Sequence, residues 1–327
     1  MSDGTLRLSE RSSVPATPEA NTWGVYATSD GIYSIDDTGA TVVLAASSDY
    51  LPIINTASRY AMNGRLTLLS GTPVTTSDYA TTDATTIYLT PYMGDEIGLH
   101  DGSTDITAWT TYSLSNEPHI HLDSTTDYTS SDNFDIWAYP TTDSVVELAS
   151  TKWTNDTTRA TALTTVSGVY CKTGATNYRY IGTIRMLAEG QCEDSVLRRF
   201  VWNYYNRVKK ILITAESTGH TYNGGQRLWN NSLTNNRVSA VIGLEDNYYT
   251  AVFKTIINSG GNAQVHVGNV SASFGFPAIE SYVPYISGMF ATINALQTLG
   301  YNDYCLWEFA SVSSLWYSMN FRILMDA

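Results

Sequence analysis

Charge, cysteine and long apolar runs are all scarce in this 327-residue chain. Charged side chains make up 15% of it, where ordinary globular chains carry about 25%. Lys and Arg number 18 against 31 Asp and Glu, a formal net charge of −13. A nucleic-acid binder needs cations to displace counterions from phosphate. The densest basic stretch is Arg198, Arg199, Arg207, Lys209 and Lys210. Amid an acidic excess it reads as a solvated or pairing face, so no nucleic-acid partner is expected. The three cysteines, Cys171, Cys192 and Cys305, show neither a CxxC nor a metal spacing. Their odd number argues against a disulfide framework and fits folding in a reducing cytoplasm. The stretch from Ile286 to Leu296 is broken by Ser287, Gly288, Thr292 and Asn294, too polar for a membrane span. Met1-Ser2-Asp3-Gly4 has neither the basic nor the apolar region of a signal peptide, so no membrane partner is expected.

In place of charge the chain carries Thr, Ser, Asn and 23 tyrosines. Thr and Tyr suit pleated, half-buried surfaces, so the composition points to sheet. Residues 1–20 hold Pro15 and Pro18 and favour extended chain that orders against a partner. Then Trp23–Ala27, Ile32–Ile35 and Ala40–Leu44 read as short strands, separated by Ser29-Asp30-Gly31 and Asp36-Asp37-Thr38-Gly39 turns. Three strands this short make too small a core for one chain, and oligomerisation is the usual remedy.

The string Val14-Pro15-Ala16-Thr17-Pro18, Gly24-Val25-Tyr26-Ala27, Asp30-Gly31-Ile32-Tyr33 and Asp36-Asp37-Thr38-Gly39 resembles the N-terminal β-module of tailed-phage fibre and virion proteins. Further strings resemble a domain of phage structural proteins. They include Ile87–Tyr92, Leu99–Ser103, Arg159–Leu163, Arg179–Arg185 and Glu193-Asp194-Ser195 to Val208. In the second of these the tyrosine usual after Leu99 is replaced by His100. The resemblance implies a non-catalytic, trimeric virion protein, a tail fibre or spike for assembly and host-surface adhesion. Residues 1–50 would attach to other virion proteins and trimerise, and residues 51–85 would form a junction and Thr/Ser-rich linker. A β-rich outer body would fill 86–327, with a sub-boundary near 155. It carries no catalytic residue and no cofactor. A capsid-decorating or head-fibre protein is the rival reading, and a polysaccharide depolymerase the remote one.

The expected fold is mainly β: the small N-terminal module, then antiparallel sandwich-like sheets and one short helix. Val196, Phe200, Tyr204 and Val208 recur at helical spacing across 195–212, with Asp194 or Ser195 as cap. Phe200 to Tyr205 is aromatic and β-branched, so a short helix running into a strand is the alternative. In Asn133–Tyr139, Phe134, Ile136 and Ala138 face one way and Asp135, Trp137 and Tyr139 the other. That aromatic row needs a cover, from another sheet or another subunit. Thr250–Asn258 and Val265–Gly268 read as a hairpin about the Asn258–Asn262 turn cluster.

Few residues suggest chemistry. His119 and His121 share one strand face in Glu117-Pro118-His119-Ile120-His121. Three copies about a three-fold axis would offer six imidazoles to a transition metal. Without an axis there they are two solvated imidazoles, and no metal is assigned. The pairs Asp36-Asp37, Asp95-Glu96, Glu193-Asp194 and Glu245-Asp246 read as turn and cap residues, because strand neighbours point to opposite faces. No Gly-x-Ser-x-Gly elbow or phosphate loop is present, and the chain is not expected to be an enzyme. Trp229-Asn230-Asn231 and Tyr248-Tyr249 are candidate surfaces for a host glycan, although such rings more often fill interfaces.

Overall fold

A computed structural model describes residues 15–28, 31–46, 59–78, 84–123, 128–231, 236–259, 261–269, 279–282 and 286–327. The first fourteen residues of the expected attachment segment, the Ser29-Asp30 part of a turn and parts of the expected linker lie outside the described residues.

The chain is mainly β, built from several antiparallel sheets, the larger ones layered like a sandwich. Strands β1 (Gly24–Thr28), β2 (Gly31–Ile35) and β3 (Thr41–Ala46) form a three-stranded sheet of their own. Tyr26 pairs with Tyr33, and their rings stack 5.5 Å apart. The β2–β3 turn closes on Asp36, whose Oδ1 accepts the Thr38 and Ala40 amides at 2.9 and 2.8 Å.

Next come β4 (Gly64–Thr67), β5 (Thr86–Pro91), β6 (Glu96–His100), β7 (Trp109–Ser113) and β8 (His119–His121). Strands β4, β5 and β8 pair in that order, and β6 pairs with β7. The following strands are β9 (Asn133–Pro140), β10 (Val146–Lys152), β11 (Leu163–Val166), β12 (Val169–Lys172), β13 (Ala175–Ala188), β14 (Gln191–Cys192), β15 (Arg198–Arg199) and β16 (Val201–Asn203). A seven-stranded sheet runs β10-β9-β13-β12-β11, with β14 and β16 also on β13. Both of its faces are buried. Phe134, Ile136 and Ala138 pack with Leu66, Ile87, Leu89 and Ile97 on one side. Trp137, Tyr180 and Trp202 pack with Phe253 and Phe321 on the other. The expected cover over Trp137 is therefore another sheet of the same chain. The same cluster joins residues before and after 155.

The last sheet has nine strands: β15, β17 (Lys209–Glu216), β18 (His220–Leu228), β19 (Arg237–Ile242), β20 (Tyr248–Ser259), β21 (Asn262–Asn269), β22 (Ile279–Tyr282), β23 (Ile286–Leu296) and β24 (Gly300–Asp326). Its spine is β24, 27 residues long, where strands usually run about 3–10. One edge of β24 carries β19, β18 and β17; the other carries β21 and β20.

Two expectations give way here. Strands β20 and β21 do not pair as a hairpin. Ser259 faces Ser314 and Ala263 faces Ala310, so both lie along one edge of β24 in one register. The Ser314 and Ser259 hydroxyls bond at 2.7 Å, and the Asn262 amide donates to Ser311 Oγ at 2.9 Å. A Cβ on Gly261 would press on Ser311 and Val312. The glycine there allows close approach to β24 rather than a reversal. The second correction concerns 195–212. Among the described residues there is no α-helix, and this segment contains β15, β16 and the start of β17. Phe200, Val201, Trp202 and Asn203 are all buried. Burial of four successive residues suits a strand between two layers, whereas an amphipathic helix would expose one or two of them. Ser195 still accepts the Leu197 and Arg198 amides at 3.1 and 3.2 Å, as a cap would, but no helix follows.

Candidate functional site

The two histidines meet as their spacing predicts. His119 and His121 lie exposed on β8, their rings 5.2 Å apart. Thr86 Oγ1 lies 3.0 Å from His121 Nδ1, and the Glu117 carbonyl lies 3.1 Å from His119 Nδ1. Glu117, with a φ of 44°, accepts the Gly71 amide and the Thr90 hydroxyl, each at 2.6 Å. Burial pushes its carboxyl up, but these bonds and one from Ser70 outweigh burial and hold it below its ordinary range. Among the described residues, no group of three His, Cys, Asp or Glu side chains is placed to hold a metal. One chain thus presents two imidazoles, and an octahedral site needs more copies.

The basic stretch is paired. Arg198 meets Glu193 at 3.0 Å, Arg199 and Lys210 meet Asp194 at 3.1 Å, Arg207 meets Asp246 at 2.6 Å and Lys209 meets Asp326 at 2.9 Å. Two of the expected turn pairs, Glu193-Asp194 and Glu245-Asp246, thus also anchor cations.

The Trp229-Asn230-Asn231 surface turns inward. Trp229 is buried, and its indole donates to Glu216 at 2.8 Å. Asn230, at φ 51°, joins two carboxylates: its side chain donates to Glu216 at 2.7 Å and its amide to Glu308 at 3.1 Å. Glu308 is fully buried and also takes Arg227 Nε and His220 Nε2, each at 2.7 Å. Asn236 completes the set on Glu216 at 2.7 Å. Both carboxylates are committed to donors, so the cluster fixes a turn and leaves neither acid aimed at a substrate. Sequence gave no signal for it, since His220 and Glu308 come from strands far apart in the chain. In the second candidate pair Tyr249 is buried, which pushes its hydroxyl up to about 12, while Tyr248 is exposed. The three cysteines are free and buried. Burial pushes the Cys171 thiol up to about 11 and Cys305 to about 12, so neither supplies a nucleophile at neutral pH.

Two further open surfaces stand out among the described residues. The N-terminal sheet exposes Trp23, Val25, Val42, Val43 and Leu44, each between 45% and 67%. On the nine-stranded sheet, residues of β20 alternate buried and open, and the open face holds a cavity of about 610 Å³. It is lined by Ala215, Lys254, Phe290, Ser318, Asn320 and Arg322 among others.

No helix among the described residues is long and apolar enough to cross a membrane. No protein-family model and no curated protein matches the chain. Among solved structures, BuGH86 in complex with neoagarooctaose aligns with 74% of this chain and 32% of its own, at 8% identity and a TM-score of 0.21. A Cry1Da tryptic core variant from Bacillus thuringiensis aligns over 75% of this chain and 50% of its own, at 9% identity and 0.19. An exo-beta-1,3-galactanase from Phanerochaete chrysosporium aligns over 93% and 78%, at 8% identity and 0.16. The chain spans about a third of the length of the first and half of the second. At such TM-scores these likenesses carry no argument about what the chain does.

Proposed function

We propose that this chain is a non-catalytic structural protein of a tailed-phage particle, a trimeric fibre or spike that serves assembly and adhesion. The observation that carries the oligomeric part is the N-terminal sheet. It has three short strands, and the apolar side chains of Trp23, Val25, Val42, Val43 and Leu44 stand open to solvent. Apolar side chains left open on so small a sheet are costly in water and mark a contact with other protein. Three copies packed side by side would cover it, and residues 1–50 would also meet the rest of the virion. The motif resemblance in this segment supplies the phage assignment. The buried Glu308 and the half-buried Glu216, both held by donors, fit a scaffold rather than a hydrolase.

Labelling intact particles with an antibody to the body, 86–327, tests this reading. Label at the tail is the expected result. Label on capsid vertices would favour the capsid-decorating alternative, and particles that carry none of the chain would overturn the virion reading.

A further inference from the structure

We infer that the groove on the open face of the nine-stranded sheet binds a carboxylate-bearing oligosaccharide. This inference deepens the adhesion role proposed above and rests on it. The first observation is geometric. Ala215, Asn320, Lys254 and Phe290 stand in one row across β17, β24, β20 and β23. In the next row Ile213, Arg322, Val252 and Thr292 follow. Arg322 is therefore diagonal to Lys254, a separation of about 7–8 Å between Cβ atoms.

The second observation is the state of these two cations. Elsewhere the described Lys and Arg side chains are occupied. The basic stretch is paired with acids, Arg159 with Asp135 and Arg237 with Asp303. Arg65 and Arg179 donate to buried carbonyls, and Lys172 lies over the Trp137 ring. Among the described residues, Lys254 has no carboxylate within ion-pair distance, and Arg322 reaches only the Asn320 amide oxygen, at 3.1 Å. Glu216 stands at the rim, but Trp229, Asn230 and Asn236 hold its carboxylate. Asp326 is held by Lys209 and Asn247. In a chain with 31 acidic residues, two neighbouring cations left without an acid form a local positive site. They repel one another until an anion lies between them.

The third observation selects the class of anion. Phe290, 66% exposed, offers a flat ring beside Lys254, and Ser217, Ser318 and Asn320 line the same cavity. An aromatic face packs on the C–H face of a pyranose, while hydroxyls and amides bond its hydroxyls. The volume of about 610 Å³ lies within the usual range for small-ligand sites. An acidic peptide fits less well: β24 and β20 are interior strands, paired on both edges, so their backbones offer no strand-addition edge. A second copy of this chain fits less well too, because charged residues are depleted at the centre of subunit interfaces.

Titration calorimetry on the intact chain tests this with tetragalacturonate, tetrasialate and a hyaluronan tetrasaccharide. Maltotetraose serves as the neutral control and tetraglutamate as the acyclic one. At least one acidic sugar should bind saturably, with both controls about tenfold weaker or worse. Lys254→Gln with Arg322→Gln, and separately Phe290→Ala, should each weaken it by about tenfold. Binding of none of the three acidic sugars, equal binding of tetraglutamate, or unchanged affinity in the variants would overturn the inference. Thermal melts and masses of the variants are measured alongside. A variant that loses subunits marks the groove as an interface and overturns the inference, leaving the virion reading intact. A monomeric parent chain would instead count against the virion reading while the titration stands.

Discussion

At the scale of single residues, the fold rests on close approaches that only particular side chains permit. Gly182 sits on β13 where a Cβ would collide with the Trp202 carbonyl on β16, and Leu66 crowds the same point. Backbone cannot retreat as a flexible side chain can. Gly182→Ala should therefore cost about 2–3 kcal/mol in urea unfolding, the range of an overpacked core. The buried Glu308 makes a second case. Glu308→Ala would strand Arg227 and His220 beside an empty space, at a cost of about 3 kcal/mol, whereas Glu308→Gln keeps the shape and should lose less. Chemical denaturation of the two variants side by side separates loss of charge from loss of volume.

Acid stability is also decided by named carboxyls. The Thr38 hydroxyl and nearby amides hold Asp36 below its ordinary range against slight burial. For Asp326, burial raises the pKa, but Lys209 and Asn247 outweigh it and hold it low. Glu117 behaves alike. A carboxyl depressed in the folded state gives stability that is present above its unfolded pKa and lost as pH falls through the folded one. Unfolding free energy should thus decline on acidification from about pH 5 towards pH 3. A flat profile there would contradict these bonds.

At the scale of elements, local patterns were legible and long-range ones were not. The three N-terminal strands followed from short β-branched and aromatic runs bounded by Asp-rich turns. The two faces of Asn133–Tyr139 followed from strand alternation. The 195–212 segment misled because Val196, Phe200, Tyr204 and Val208 have helical spacing, while burial on both sides forces extended chain. The Gly260-Gly261 pair misled in the same way. Glycine marks a reversal or a close approach, and only the facing β24 decides which. The prediction at this scale is that Gly261→Val opens the β21–β24 edge by pressing on Val312 and Ser311. Amide exchange should accelerate across Asn262–Asn269 while β9 stays protected. Of the candidate sites, the His119–His121 pair was legible because two residues suffice to place it. The Lys254–Arg322 groove was not, because it joins strands whose register is set by β24.

At the scale of the whole molecule, the body closes its own cores and the N-terminal sheet does not. The seven-stranded sheet is covered on both faces within one chain. The three-stranded sheet leaves apolar side chains open, and a unit of this size has too little core to stand alone. On the function proposed above, the drive for association lies in residues 1–50. Light scattering after size-exclusion chromatography, on the intact chain and on one lacking residues 1–50, tests this most directly. The expected result is an intact mass three times the 35.9 kDa chain mass, and a lower order without the N-terminal segment. A single-chain mass for both would contradict it.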